Sequence, residues 1–522
     1  MKKKHFFVFL AFAAFNFSIF PQKFQIFEVN YELENTKEQA LRHKILIDTS
    51  RVFDSEEELS KYKESLLQKF ENTRAFDKIE IAFLQKLESE EKKSENETVF
   101  LTCNINAADT KHLLVVPYPK YDSNSGLTIK LKAKDTNFLG NLEELNFDFS
   151  AGKKDSEISG ENDFYLGASL DFAVPFYSGP FNVFWLNNYS FEYNFADSRP
   201  QFEAESGLKI ELPFERFSLV FDIRQGVYRD FEYTEFEDEL FGKTYSNFSV
   251  PVKIFQSEKF GDLIFRPFAD FDFNYDKDTI CKSNDDLSGG VLAAGSEIEI
   301  TKIDWRGNFR NGYSFVSGAK YGYNFECNDT QYKIYSKMLL FKAFKYNAIQ
   351  TRADFNVSDK YRIKIGKNLR GIADDQYYKG TSKRALKVPS SLAVNLDFPF
   401  HIITTDWSGW INAVFGKESW LAEHFQWTKT FDFELQLVPF ADFAISDNEA
   451  TNRFFSLKDG WYSAGFEILV FPEKWKSVVV RASAGFDIGK LVIKEKFPEK
   501  IDYSWRENAK SHEIYIGIGL LY

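Results

Sequence analysis

From about Tyr118 to Tyr522 the chain alternates apolar and polar residues, segment after segment, and no amphipathic helix stands out between them. Leu127, Ile129, Leu131 and Ala133 alternate with Thr128, Lys130, Lys132 and Lys134. Tyr189, Phe191, Tyr193 and Phe195 alternate with Ser190, Glu192 and Asn194. Val478, Val480, Ala482, Ala484 and Phe486 alternate with Val479, Arg481, Ser483, Gly485 and Asp487. One such strand would suit a soluble sandwich equally well. About 400 residues of it favour a closed transmembrane β-barrel, with the apolar face on lipid and the charged face on a lumen. Closure also removes the unpaired edges that so many strands would leave.

The rest of the composition fits that reading. After the N-terminus, no run approaches the roughly 20 apolar residues of a membrane helix, and mean hydropathy is −0.36. Aromatic residues, which favour strands and membrane interfaces, are abundant: 58 Phe and 25 Tyr against 2 Met. A net charge of −12 argues against nucleic acid as a partner. Met1-Lys2-Lys3-Lys4-His5 followed by FFVFLAFAAF reads as a secretory signal over residues 1–21, which implies export. Three cysteines are no disulfide framework. Cys281 and Cys327 stand in polar stretches where they could meet, but free thiols are the expectation. No spacing suggests a metal site, a cofactor or a catalytic triad, and adjacent acids such as Glu143 and Glu144 point to opposite faces of a strand.

Residues 22–110 are different. Phe24–Leu33 alternates like a strand, Lys37–Leu46 has helical spacing, and Asp54–Phe70 is a strong helix with acids in its first turn. Phe76–Leu87 and Thr98–Asn106 read as two more strands joined by a charged turn. That order predicts one small α+β domain ahead of a barrel spanning 118–522. At the other end, Ile514, Ile516, Ile518, Leu520 and Tyr522 alternate with Glu513, Tyr515, Gly517, Gly519 and Leu521, so the chain closes on an aromatic strand. At about 25 residues per strand and connection, the barrel should hold about 16 antiparallel strands. Tips are expected at 137–141, 178–180 and 213–216. The segment from Trp407 to Thr430 is long for a connection and is expected to hold an extra hairpin.

Two short segments carry complementary chemistry. Leu369-Arg370-Gly371-Ile372 lies on a long loop, and Phe440-Ala441-Asp442-Phe443 lies on a strand. Phe431, Phe433, Leu435 and Leu437 share the lipid parity. Phe440, Asp442 and Ala444 therefore face the lumen, provided the strand carries no bulge at Pro439. An aspartate inside a closed sheet needs a cation, and a bidentate arginine supplies one with defined geometry. Asp270, within an identical Pro-Phe-Ala-Asp-Phe at 267–271, is the competing carboxylate.

These segments together resemble the outer-membrane insertase and translocase superfamily of the BamA and TamA assembly proteins and the two-partner-secretion transporters. The N-terminal order, with Asn72–Ile79 leading from its second helix into a strand, is similar to a polypeptide-transport-associated (POTRA) domain. Tyr121–Gly140 looks like a first barrel strand and turn. Leu369–Ile372 resembles the Arg-Gly motif of the family's sixth extracellular loop, and Phe440–Ala444 resembles its downstream strand motif. The resemblance implies an Arg370–Asp442 pair that holds the loop in the lumen, with Gly371 and Phe440 beside it. It also implies a seam between the first strand (Leu127, Ile129, Leu131) and the last (Ile514, Ile516, Gly517, Gly519, Tyr522). The expected activity is insertion or translocation of client polypeptides in the outer membrane of a diderm bacterium, with the N-terminal domain in the periplasm for client capture. Lipid, client chains and periplasmic chaperones or accessory lipoproteins are the partners implied. A dedicated secretion pore for one exported partner and a passive porin are the alternatives. No enzymatic activity is expected.

Overall fold

The computed structural model describes residues 23–85, 98–122, 126–155, 162–197, 199–231, 236–276, 289–359, 363–364, 369–370, 376–379, 382–385, 387–416, 420, 424, 426–448, 451–506 and 511–519. The expected signal at 1–21, Gly371 and Tyr522 lie outside these residues. The N-terminal unit runs β1 (Phe24–Leu33), α1 (Glu38–Lys44), β2 (Val52–Phe53), α2 (Glu56–Thr73), β3 (Phe76–Gln85) and β4 (Val99–Asp109). Its sheet order is β2-β1-β4-β3, with β1 and β4 parallel. Helix α2 starts where Ser55 accepts from the Glu58 amide, and acids at 56–58 complement its N-terminal dipole. Leu59, Tyr62, Leu66 and Phe70 recur at helical spacing and bury against Ile26, Phe53 and Ile105 of the sheet. Burial pushes the Cys103 thiol in this core up to about 11. The helix ends at Arg74, which takes a left-handed conformation (φ 53°).

The remaining strands close into one antiparallel barrel. They are β5 (Leu113–Asp122), β6 (Gly126–Asp135), β7 (Leu145–Asp155), β8 (Asn162–Ser178), β9 (Phe181–Asn194), β10 (Gln201–Pro213), β11 (Ser218–Arg229), β12 (Leu240–Ser249), β13 (Val252–Phe255), β14 (Asp262–Tyr275), β15 (Gly289–Arg306), β16 (Phe309–Asn324), β17 (Asp329–Ala343) and β18 (Ala348–Ser358). Short pieces β19 (Ile363–Lys364), β20 (Gln376–Lys379), β21 (Ser382–Ala385) and β22 (Lys387–Val388) pair outside the barrel sheet. The barrel resumes with β23 (Ser391–Asp397), β24 (Phe400–Thr404), β25 (Phe433–Asn448), β26 (Arg453–Phe454), β27 (Trp461–Pro472), β28 (Val480–Asp487) and β29 (His512–Ile518). Because β12–β13, β23–β24 and β26–β27 are each one interrupted stave, the barrel has about 18 strands.

That count corrects the expected 16. Turns such as Gly179-Pro180 and Gly307-Asn308 are far shorter than the assumed spacing allows. The barrel also begins earlier than 118, because β5 precedes β6. Pro117 and Pro119 hide β5 in the sequence. Its addition makes the Arg370 connection the seventh on its rim, where the sixth was expected. The predicted hairpin at 407–430 is instead a helix, α3 (Trp407–Phe415), followed by a 3-10 turn at Gln426–Phe431. Cys327 is disulfide-bonded, against the expectation of free thiols. Cys103 is free and buried, and the third cysteine, Cys281, lies outside the described residues.

The N-terminal unit sits on the rim that carries the short turns. Asn72 accepts from the Trp305 amide (2.9 Å) and donates to Asp304 (3.0 Å). Arg74 lies on the Trp305 ring, donates to Asn308 Oδ1 (2.9 Å), and reaches the Lys476 carbonyl. His43 stacks on Tyr177 at 3.9 Å, Arg51 pairs with Glu258 at 3.0 Å, and Asn137 donates to Thr36 (2.9 Å). These contacts touch turns on well-separated staves, so the domain lies across the mouth of the barrel.

Candidate functional site: a loop latch and a barrel seam

The chain brings Arg370 into the lumen between β18 and β23, where it is 4% exposed. Strand β25 runs from Phe433 to Asn448 with no register shift against β27, so Pro439 introduces no bulge and the even positions stay inside. Asp442 therefore faces Arg370. The arginine Nε and Nη2 donate to the two Asp442 oxygens at 2.9 and 2.6 Å. Its backbone amide also donates to Asp442 Oδ2 (2.9 Å). One carboxylate thus holds the loop by main chain and side chain together. The Phe440 ring centroid is 3.7 Å from the guanidinium carbon, so the cation is sandwiched by chemistry from a single strand.

Two further carboxylates, unforeseen in the sequence, complete the site. Nη2 donates to Asp397 Oδ1 at 2.6 Å, and Nη1 lies 3.4 Å from Glu467 Oε2. Asp397 ends β23 and Glu467 lies on β27, so three strands converge on one cation. Their signal was parity: Glu467 interrupts the inward row Trp461, Ser463, Gly465, Glu467 and Leu469, all buried or glycine. Glu467 also faces Arg481 of β28 at 3.6 Å, and the Arg481 guanidinium covers the Tyr515 ring of β29 at 4.5 Å. The cluster therefore connects the loop to the last strand. Charges buried this deeply are tolerable only with several mutual hydrogen bonds.

The last connection before β29 also folds inward. Arg506, 2% exposed, donates to Asp487 Oδ2 at 2.7 Å and lies over the Tyr503 ring at 4.1 Å. Tyr503 donates to the Gly460 carbonyl (2.9 Å). Leu369 and Val388 pack with Trp461 and Trp505, so the two inward loops meet. Sequence reasoning missed this second Arg–Asp pair. Among the described residues no group of three or more His, Cys, Asp or Glu is placed to hold a metal.

The expected seam is corrected on one side: β29 stands at the junction, but its partner is not β6. Leu127, Ile129 and Leu131 do face outward, but β6 lies between β5 and β7 and is not at the junction. The closing partner of β29 is β5, and among the described residues the junction shows two register pairs, Tyr515↔Asp122 and Ile516↔Tyr121. Ile514 and Ile516 face outward. The Tyr515 side chain lies over Gly517, where a Cβ would collide with it, and Gly519 donates to the Val479 carbonyl (2.7 Å). The phase of the ladder shows which β5 groups face the junction. The Thr136 amide donates to the His112 carbonyl, so in register the even residues of β5 bond β6 and the odd ones face β29. Pro117 and Pro119 are odd. Their missing N–H groups lie on the junction edge.

No family model matches the sequence, and no curated protein matches it. Among solved structures, BamA from Haemophilus ducreyi lacking POTRA domains 1–3 is similar at 12% identity and TM-score 0.38, covering 94% of this chain and 84% of that one. CdiB from Acinetobacter baumannii is similar at 8% identity and TM-score 0.44, covering 95% and 73%. CdiB from Escherichia coli is similar at 7% identity and TM-score 0.45, covering 94% and 76%. These likenesses are too distant to assign any residue a role.

Proposed function

We propose that this chain is an outer-membrane barrel that inserts or translocates client polypeptides, with β5 and β29 as its lateral gate. The observation that carries the reading is the β5 edge of the junction, which lacks two backbone donors at Pro117 and Pro119 and meets β29 through two register pairs among the described residues. Strand pairing is the unit of sheet cohesion, so this is where the barrel is cheapest to part. The Arg370 cluster keeps the barrel in its working form and makes or breaks no bonds. The N-terminal unit, POTRA-like in its element order, supplies client capture. Among the described residues β3 pairs only with β4, which leaves a sheet edge for an extended client strand. The domain's side of the membrane is then the periplasm, and chaperones or accessory lipoproteins would deliver clients there.

A disulfide engineered between Tyr121→Cys and Ile516→Cys tests the gate. Locking the junction should abolish function and reduction should restore it; full activity with a locked junction would sink the lateral gate. Depleting the chain separates the two transport readings. Broad loss of outer-membrane barrels supports insertion, whereas loss of one exported protein supports a dedicated secretion pore.

A further inference from the structure

Residues 405–432, which join β24 to β25, are unlike the other connections on the rim that carries the N-terminal unit. Neighbouring turns there are as short as Gly307-Asn308, the habit of that side of a membrane barrel. This one instead holds Trp407, Trp410, Trp420 and Trp427, four of the nine tryptophans in the chain. Its described ends are also tied together. Asp406 caps α3 by accepting from the Gly409 amide (2.8 Å). The Trp407 amide donates to Asp432 (2.9 Å) and its indole donates to the Phe431 carbonyl (3.2 Å), tying the start of the flap to its end.

The helix is inverted relative to a soluble one. Ser408 is buried, while Trp407, Trp410 and Val414, at spacings i, i+3 and i+7, are exposed, Val414 by 73%. A helix against a protein core would turn that stripe inward. Phe415, Trp420, Trp427 and Phe431 are exposed as well. Such a patch marks an interaction surface. Its occupant is indicated by what it adjoins: exposed Phe400, Ile402 and Ile403 of β24 and Leu437 of β25 run directly into it, and these belong to the outer apolar belt of the barrel. Helix α3 itself carries no charged residue, and indoles prefer the boundary between hydrocarbon and headgroups.

We propose that helix α3, with Trp420, Trp427 and Phe431 of the same connection, is a lipid-binding flap, seated in the phospholipid leaflet on the side of the N-terminal unit, outside the strand belt. It requires that the barrel span a bilayer, and goes beyond the transport reading. A flap so placed fills one sector of one leaflet with aromatic side chains, close to the barrel wall.

The test uses the full chain reconstituted in phosphatidylethanolamine–phosphatidylglycerol vesicles, with a nitroxide on Val414→Cys. Buried Cys103, with its raised pKa, is a poor competitor for the label. Collision with dissolved oxygen should exceed collision with a water-soluble nickel chelate several-fold, matching a label at outward-facing Ile298 and opposite to one at Lys61 on the N-terminal unit. A Val414 label that behaves like Lys61, or that neither probe reaches because a protein covers it, overturns the proposal. Water access at Ile298 would overturn the membrane reading and the flap with it. As a second readout, Trp410→Phe/Trp420→Phe/Trp427→Phe should remove more of the quenching by brominated phospholipid than Trp305→Phe/Trp475→Phe/Trp505→Phe. Equal losses would count against the flap.

Discussion

The pentapeptide Pro-Phe-Ala-Asp-Phe occurs twice, at 267–271 on β14 and at 439–443 on β25, and the two copies have the same local build. In each, the aspartate faces the lumen and is buried. In each, the phenylalanine two residues earlier stands opposite a glycine of the next strand, Gly295 or Gly465. A Cβ on either glycine would meet that ring, at 2.6 Å from Phe268 Cζ and 2.8 Å from Phe440 Cζ, as well as a nearer backbone carbonyl, that of Ala319 or Ala484. Yet Asp442 receives Arg370, while Asp270 receives the Asn247 amide group and, at 3.5 Å, Lys320. The pentapeptide makes an acceptor over a ring and nothing more. What distinguishes the copies is non-local: Asp397 and Glu467 gather around Asp442 and make its pocket acidic enough for a guanidinium, whereas a lysine from β16 already serves Asp270.

The sharpest way to break this comparison is to truncate each acid. Asp442→Ala should cost about 3–5 kcal/mol, because Arg370 is left buried among fewer partners. Asp270→Ala should cost about 1 kcal/mol, as Asn247 and Lys320 can turn to water. Urea midpoints of the vesicle-embedded barrel, read by heat-modifiable mobility, measure both; equal costs would remove the distinction. Next in size is the exchange Arg370→Asp with Asp442→Arg. It should recover only part of the loss of either single change, since the new arginine finds Asp397 and Glu467 but the loop amide loses its acceptor. Full recovery would mean that the amide bond adds little. Gly465→Ala should strain the Ala484 carbonyl of β28, displace the Phe440 ring from the guanidinium, and cost about 1–3 kcal/mol. Gly295→Ala should match it in stability but leave Arg370 undisturbed, which protection of a cysteine placed at Leu369 from alkylation would reveal.

The smallest expected effect lies outside the barrel. Burial would raise the pKa of Asp77, but Lys474 and Lys476 outweigh it and hold the carboxyl below its usual range. Its contribution to docking is therefore complete above the unfolded value and is lost as pH falls through the lower folded one. Below about pH 4 the N-terminal unit should loosen, by about 1 kcal/mol or less for a partly exposed pair. Protease sensitivity near residue 110 would report it, and Asp77→Asn should abolish the pH dependence.

Much of this architecture was legible because its code is local. Period-two alternation gave the barrel, and the parity from Phe431 through Asp442 gave the inward face of β25 without coordinates. The N-terminal order could be read from one capped helix and three alternating runs. What escaped had a weak local mark or none. Asp397 is the last residue of a stave that breaks at Pro399, so it looks like a turn aspartate. Glu467 sits in an apolar run, where one acid resembles noise until three strands meet. Arg506 and Asp487 lie on different sides of a long connection, and their pairing depends on that connection folding inward. Strand β5 was missed because its prolines break the pattern by which strands are recognised, and those same prolines matter at the junction.

If the proposed gate opens at this junction, the two strands it releases are unequal templates. Strand β29 contains no proline, and its even residues offer every donor and acceptor to an incoming strand. Strand β5 offers an interrupted edge that cannot zip past Pro117 and Pro119. A newly arriving hairpin should therefore nucleate on β29 and be displaced from β5, which gives growth of a hybrid sheet a direction, written into the chain by two missing hydrogens.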